Sequence, residues 1–252
     1  MPTQKNAAQT CADAVDDAIT SRRAVRAFLP RPVPREEIEA ILRVARWAPS
    51  GSNTQPWKVY VLTEKARDEL AALLLEAYDD PVKRESAREE YDYYPRNWVS
   101  PFQERRRKVG WDLYGLLGIG RADKAAMHKQ LGRNFSFFDA PVALMFTVDR
   151  TMELGSWLDM GMFLQNIMIA AQGRGIATCP QAAFNKYHRV IATYLGLPEN
   201  EQLVCGMSMG YRDPDATANQ LVTEREPLEA FVNFVGEPAA SHENIKNRDL
   251  EN

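Results

Sequence analysis

The chain has 252 residues, 45% hydrophobic and 26% charged, with a formal net charge of -3 and an isoelectric point near 5.8. That length allows one large domain or two small ones, either with room for a sizeable core. The mild acidity argues against a general nucleic-acid binder, which must neutralise phosphates, and no apolar run approaches a membrane span.

Residues 1–10 are polar and read as flexible, with no apolar signal segment among them. Ala12 to Thr20 reads as a helix delivering a basic octet, SRRAVRAF, from Ser21 to Phe28. In it Arg22, Arg23 and Arg26 cluster with no acid between them. Guanidinium forks match phosphate and carboxylate oxygens at two points. Alone, the octet reads equally as a solvated basic turn. Pro34 then suits the first turn of a second helix. Glu36 and Glu37 complement its dipole, and Ile38, Ile41, Leu42 and Ala45 form one apolar face. Pro49 ends it. The loop Ala48 to Trp57, APSGSNTQPW, mixes turn formers with Ser50, Asn53 and Gln55, side chains suited to the edge of a heterocycle or to a polyol.

Trp57 to Thr63 reads as a strand, and Glu64 to Tyr78 as a helix with an apolar stripe through Leu70, Leu73 and Leu74. The character then changes over 79–135. Tyr91, Tyr93, Tyr94, Trp98, Phe102, Trp111 and Tyr114 crowd one segment, interrupted by Pro95 and Pro101. Two readings stand: a satellite cluster packed under a long excursion, or a lid over a flat aromatic ligand. The basic run Arg105 to Lys108 reads as a solvated helix face. Asp123 to Arg133 reads as a helix, and Ala140 to Asp149 as a buried strand.

Ser156 to Gln172 is apolar nearly all round, as a core or subunit-interface helix should be. Its polar exceptions, Asp159, Gln165 and Asn166, must find partners if buried. After the break at Gly173 to Gly175, Ile176 to Cys179 reads as a short strand and Pro180-Gln181 as a turn. Tyr187 to Leu195 is a helix, Gln202 to Tyr211 a strand, and Pro227 to Val235 a short C-terminal helix before a flexible tail, 237–252. The order suggests an α+β sandwich.

Cys11, Cys179 and Cys205 are odd in number and widely spaced, which suggests neither a disulfide framework nor a zinc site. Reduced thiols and a cytoplasmic location are expected. His128, His188 and His242 lack ligand spacing, so no metal is expected. Neither a dinucleotide fingerprint nor a phosphate loop is present. Gly206 to Gly210 matches G-x-S-x-G, and Asp213, Asp215 and His242 follow, so a serine hydrolase built on Ser208 can be drawn. That motif requires a strand, a sharp turn and a helix. Here the serine sits within a strand pattern and a loop follows, which makes the hydrolase a remote alternative.

SRRAVRAF, a helix, and then APSGSNTQPW resemble the opening of the FMN-dependent nitroreductase family. The resemblance continues through GIATCPQAAF, CGMSMGYRDPD and NQLVTEREPLEAFVNF, and so covers most of the chain. It implies a single domain over 1–252, an α+β, helix-rich, three-layer α/β/α sandwich with a central, mostly antiparallel sheet, assembled as a homodimer. It favours the lid reading of 79–135. It implies FMN as cofactor and NADH or NADPH as co-substrate. The acceptor would be a small aromatic molecule, nitrobenzoate-like or otherwise nitroaromatic, or a quinone. Arg22, Arg23, Ala24, Val25 and Arg26 would hold the cofactor phosphate and ring edge, and many relatives have Ser in place of Ala24. Ser50, Asn53 and Gln55 would meet the flavin from the partner subunit. Thr178, Cys179, Pro180 and Gln181 would lie near its reactive edge, and Arg225 would close on the phosphate. Tyr94, Trp98, Phe102 and Tyr114 would face the substrate, and a carboxylate on it would need Arg96, Arg105 or Arg133. No side chain is assigned as catalytic, because the flavin carries the redox work. Donor and acceptor using one face in turn would give ping-pong kinetics. Alternatives on the same fold act on an enone or a halogenated phenol, or bind flavin without turnover.

Overall fold

Four strands form where branched and apolar residues concentrate: β1 (Trp57–Thr63), β2 (Val142–Asp149), β3 (Ala177–Gln181) and β4 (Glu201–Gly210). They make one sheet in the order β1-β2-β4-β3, with every neighbouring pair antiparallel. The computed structural model describes residues 7–236. Two compact units divide after Leu221, where the sequence reading takes 1–252 as one domain.

The first unit is a three-layer sandwich, and β2 shows why. Its side chains alternate between two cores, as a strand buried on both faces requires. Val142, Leu144, Phe146 and Val148 pack with Ile38 and Ile41 of α2 (Arg35–Ala45) and with Phe163 and Ile167 of α7 (Leu154–Gln172). Ala143 and Met145 pack on the other face with Leu70 and Leu74 of α3 (Glu64–Asp79) and Ile191 of α8 (His188–Leu195). The remaining helices are α1 (Ala7–Ser21), α4 (Pro81–Ser86), α5 (Phe102–Leu116) and α6 (Lys124–Gly132).

Three sequence expectations are corrected. Helix α1 begins at Ala7, so 7–10 are helical, while 1–6 and 237–252 lie outside the described residues. Pro180 and Gln181 continue β3, paired with Met207 and Gly206, and do not turn. A strand on the edge of the sheet tolerates a proline that a central strand would not. Among the described residues of the second unit there is only a short 3-10 turn, Leu228–Ala230, where a helix over Pro227 to Val235 is expected. Leu228, Phe231 and Phe234 are all exposed. A short helix gains little in water without an apolar face to bury.

One buried acid pins three strands. The Glu201 side chain is 3% exposed and accepts hydrogen bonds from Lys58 (2.6 Å), Tyr60 (2.8 Å) and Thr147 (2.6 Å). Burial pushes its pKa up, but the hydrogen bonds from Lys58, Thr147 and Tyr60 and the Lys58 charge outweigh that and hold it below the ordinary value. A carboxyl with a lowered folded-state pKa adds stability above the ordinary carboxylate range, and that stability is lost as pH falls through the lowered value. Glu201→Gln should therefore cost roughly 2 kcal/mol at neutral pH. Denaturant unfolding of the variant should also depend less on pH between neutral and acid conditions. Parallel pH profiles for wild type and variant would mean that this carboxylate contributes no linkage.

Candidate active site

After α1 the chain becomes extended and runs along the edge of the sheet. Ala24 bridges Thr178 in parallel, and the Val25 amide donates to the Thr178 carbonyl at 3.1 Å. Farther on, Leu29 N–H donates to the Tyr211 carbonyl (2.9 Å) and Asp213 N–H to the Ala27 carbonyl (3.1 Å). Asn219, nearly buried in the 3-10 turn Thr217–Gln220, closes the arrangement. Its Oδ1 accepts from Arg26 N–H (2.7 Å), and its Nδ2 donates to the carbonyls of Ala27 (2.8 Å) and Asp213 (2.9 Å). Asn219 opens the motif NQLVTEREPLEAFVNF, but the sequence reading gives it no role. Its partners in the arginine coil lie 192 and 193 residues away.

This coil presents the arginine cluster. Arg23 Nη1 donates to the Thr20 and Arg22 carbonyls, and Arg26 Nη1 to the Ala24 carbonyl (3.3 Å). Neither pairs with a carboxylate among the described residues. Arg26 and Arg22 also act on Cys179. Burial pushes that thiol up to about 11 while the two guanidinium charges pull the other way. A buried thiol so far from ionisation is a packing residue and not a nucleophile. Beside it, Thr178 is buried with its hydroxyl unpartnered. Val25 is core: its side chain packs inward and its amide is spent on Thr178.

The far end of β3 borders a cleft of about 730 Å³. Pro180 and Gln181 form part of one wall, and Tyr93, Tyr94, Arg106 and Tyr114 come from the 79–135 segment. Tyr187 also lines it, and its buried hydroxyl has no partner. Gln181 is fixed at both ends: Nε2 donates to the Asn134 carbonyl (2.9 Å), and Oε1 accepts from Ser208 (2.5 Å). Ser208 is therefore a fully buried strand residue, and the hydrolase reading fails. The glycines of that motif serve packing. A side chain at Gly206 would collide with Phe184, and one at Gly210 with Pro141. His242 lies outside the described residues. Another hollow of about 600 Å³, at the outer edge of β1 beside Val33, Leu42 and Val61, holds none of the expected site residues.

Of the residues expected to face a substrate, Tyr94 and Tyr114 line the cleft. Trp98 and Phe102 do not: Trp98 packs on Tyr94 at 5.4 Å, and Phe102 is exposed. None of the three arginines expected to read a carboxylate reaches the cleft either. Arg96 pairs with Asp92 (3.2 Å), Arg105 lies over Phe102, and Arg133 donates to Asp139 (3.1 Å) and to the Arg26 carbonyl (3.3 Å). The segment is tied at its root. Asn185 takes the Glu90 amide (3.1 Å) and donates to the Tyr91 carbonyl (2.8 Å), and Tyr91 donates its hydroxyl to the Val204 carbonyl. Beyond that root, α5 has no buried residue.

The polar loop packs in the opposite layer. Ala48 belongs to the core of α2 and α7, whereas Val25 and Phe28 belong to the core of α3 and α8. Asp159 of α7, 7% exposed, accepts the Gly51 amide (3.2 Å), and Asn166 caps α2 by donating to the Ala45 carbonyl (3.3 Å). Two of the three polar exceptions in the apolar helix thus find partners, and the third, Gln165, is exposed. Ser50 Oγ accepts the Gln55 amide (3.0 Å), and Gln55 Nε2 donates to the Asn53 carbonyl (3.2 Å). Ser52, Asn53 and Gln55 all have positive φ, so the loop holds a costly conformation against a fixed anchor. Arg225 lies in the second unit, where its Nη1 donates to Thr223 Oγ1 (2.8 Å) and to the Glu224 carbonyl (2.8 Å).

Residues 19–211 match the model of the nitroreductase family. The chain is 44% identical over 224 residues to a 4-nitrobenzoate reductase of Pseudomonas putida, covering 89% of this chain and 96% of that protein. It is 42% identical over 223 residues to a nitrobenzene nitroreductase of Ectopseudomonas oleovorans, covering 88% and 97%. Among solved structures, the FMN-dependent nitroreductase NfnB of Mycobacterium smegmatis in complex with NADPH aligns with a TM-score of 0.83 at 36% identity, over 89% of this chain and 99% of that one.

Asn219→Ala removes one acceptor and two donated bonds from the arginine coil. The amides of Val25, Arg26 and Leu29 should then exchange with solvent at least tenfold faster, read by hydrogen–deuterium exchange, while β2 keeps its protection. Unchanged exchange at these three amides would mean that Asn219 does not hold the coil.

Proposed function

The chain belongs to the nitroreductase family, and from that premise we propose that it is an FMN-dependent enzyme that uses NADH or NADPH to reduce nitroaromatic or quinone-type acceptors. One observation carries the reading. Strand β3 meets the arginine coil at Thr178 and borders the aromatic cleft from Pro180 onward. A single strand thus joins a cluster of arginines to a cleft with aromatic walls, as a molecule with a phosphate at one end and a planar ring at the other requires.

The residues present fit FMN. Arg23 and Arg26 have no carboxylate partner among the described residues, so their charge is left for a phosphate, with Arg22 and the backbone of Ala24 beside them. The orphaned Thr178 hydroxyl supplies a further hydrogen-bonding group next to Cys179 and Pro180. When bound, the flavin supplies the two-electron redox chemistry that the side chains lack. The chain's own share is to bind, orient and exclude water. Gln181, locked by Ser208 and Asn134, holds the β3 wall rigid, while Tyr94 and Tyr114 give flat apolar area for an aromatic acceptor. The 79–135 segment acts as a lid, anchored at Asn185 on one side and through α6 at Tyr78 on the other, with α5 the lightly held part between them.

A second copy of the chain completes the site with Ser50, Asn53 and Gln55. Two observations support this dimer. The loop is fixed on the opposite layer from the arginine coil, and α7 leaves Leu154 and Leu158 exposed, with Trp47 exposed at the end of α2. Large apolar residues left facing solvent mark contact surfaces. The enzyme acts in the cytoplasm; among the described residues no helix is long and apolar enough to cross a membrane.

The purified protein should be yellow, bleach with NADH or NADPH, and regain colour when a nitroarene is added anaerobically. Reciprocal rate plots against both substrates should be parallel, since one cleft serves donor and acceptor in turn. Arg26→Ala should weaken FMN binding at least tenfold, as loss of a charge-assisted contact predicts. A yellow protein that neither reductant bleaches would be a passive flavin binder. Reoxidation by an enone or halogenated phenol but not by nitroarenes would move it to another acceptor class.

A further inference from the structure

We propose that Arg106 selects acceptors carrying a carboxylate on the aromatic ring, a step that rests on the reading of the site as a nitroaromatic reductase. The cleft is unevenly charged. Arg84, Arg106, Lys124 and Lys186 line it against a single acid, Glu89. Such an excess raises the local concentration of anions. The four cations differ in what they have left to give. Arg84 already donates to the Tyr78 and Asp79 carbonyls. Lys124 and Lys186 are unpaired among the described residues, but an ammonium on a flexible stem is a point charge without a fixed direction.

Arg106 is oriented and unspent. Its guanidinium lies over the rings of Trp98 (4.9 Å) and Tyr94 (5.7 Å), a cation–π shelf that restrains it. No carboxylate or carbonyl among the described residues accepts from it. A cation–π contact occupies no hydrogen-bond acceptor, so the guanidinium fork that matches a carboxylate at two points has none of its bonds taken by a described carboxylate or carbonyl. Tyr94, which supports Arg106, also lines the cleft, so a ring resting there has the guanidinium within the same wall. A carboxylate held by the 79–135 segment leaves the opposite end of a para-substituted ring free for the wall of Pro180 and Gln181, the residues that would lie beside the flavin on that reading. Arg106 is thus a specificity residue, and Trp98, which never touches the cleft, positions it.

The test compares 4-nitrobenzoate with its neutral counterpart 4-nitrobenzamide on the flavin-loaded protein. The wild type should prefer the acid. Arg106→Gln should lower the acid-to-amide ratio of kcat/KM about tenfold, through KM for the acid, and Arg106→Lys should lower it less, since it keeps the charge but loses the fork. Arg96→Gln, outside the cleft, should leave the ratio alone. An unchanged ratio in Arg106→Gln overturns the proposal. Calorimetric titration of both compounds into the oxidised protein separates this failure from failure of the nitroreductase reading. If the wild type is bleached by NADPH yet reduces neither compound, that reading fails. Arg106 is then still judged by binding: an acid affinity about tenfold lower in Arg106→Gln supports its role, and equal affinities overturn it.

Discussion

The site depends on a register: Ala24 lies beside Thr178, so the arginine coil is stitched to an edge strand and not to solvent. Residues 22–29 form neither helix nor sheet of their own, and their backbone groups need partners elsewhere. They find them on two sides, at β3 through Val25 and at the exit of β4 through Ala27, Leu29 and Asn219. Strand β4 lies between β2 and β3 and is buried along almost its whole length. A charged coil half-open to solvent therefore inherits its position from the sheet interior. Glu201 guards that interior from the other end, binding Lys58 and Tyr60 of β1 and Thr147 of β2 to the start of β4.

The same sheet divides the expected site. The arginine coil packs on the core of α3 and α8, while the loop of Ser50, Asn53 and Gln55 hangs from Asp159 on the core of α2 and α7. A buried carboxylate that accepts a backbone amide is a directional anchor, and positive φ at three loop residues shows that the anchor prevails over local preference. On the proposed reading each chain carries two half-sites, one on each core. Under the proposed dimer, twofold symmetry would bring one half of each chain to the other's complement, so that assembly and cofactor binding would support each other.

Much of this was legible in the sequence because it follows from local pattern. The stripe Ile38, Ile41, Ala45 and the continuous apolar run of β2 announce a helix and a strand buried on both faces. The polar exceptions in α7 announce partners without naming them. Two misreadings, and one decoy that the sequence reading sets aside, share a cause: a local signal was outweighed by position. Pro180 looks like a turn but is tolerated at a sheet edge. Gly206 and Gly210 look like a nucleophile elbow but make room for Phe184 and Pro141. Leu228, Phe231 and Phe234 have near-helical spacing, yet they remain exposed and the turn stays short. Asn219 opens one of the family motifs, yet its role left no local mark, since its value lies in contacts with a segment far away in sequence. Which arginine faces the cleft was hidden for a related reason: Arg96, Arg105 and Arg106 are near neighbours in the sequence, and only the path of the segment separates the one over Trp98 from the others.

The contrast between the two walls of the cleft bears on how such an enzyme can change its acceptor. The β3 wall is over-determined: Gln181 alone is held by Ser208 and by Asn134, and Cys179 and Thr178 beside it are core. Substitution there leaves buried polar groups unmatched and disturbs the residues proposed to surround the cofactor. The opposite wall is held at Glu90 and Tyr91 and then runs into a helix with no buried residue, where a side chain can change at little cost to stability. Selectivity placed on the weakly held wall can vary while the redox machinery stays fixed. An arginine steadied by aromatic faces suits that position, because it borrows order from its neighbours without needing a rigid backbone beneath it.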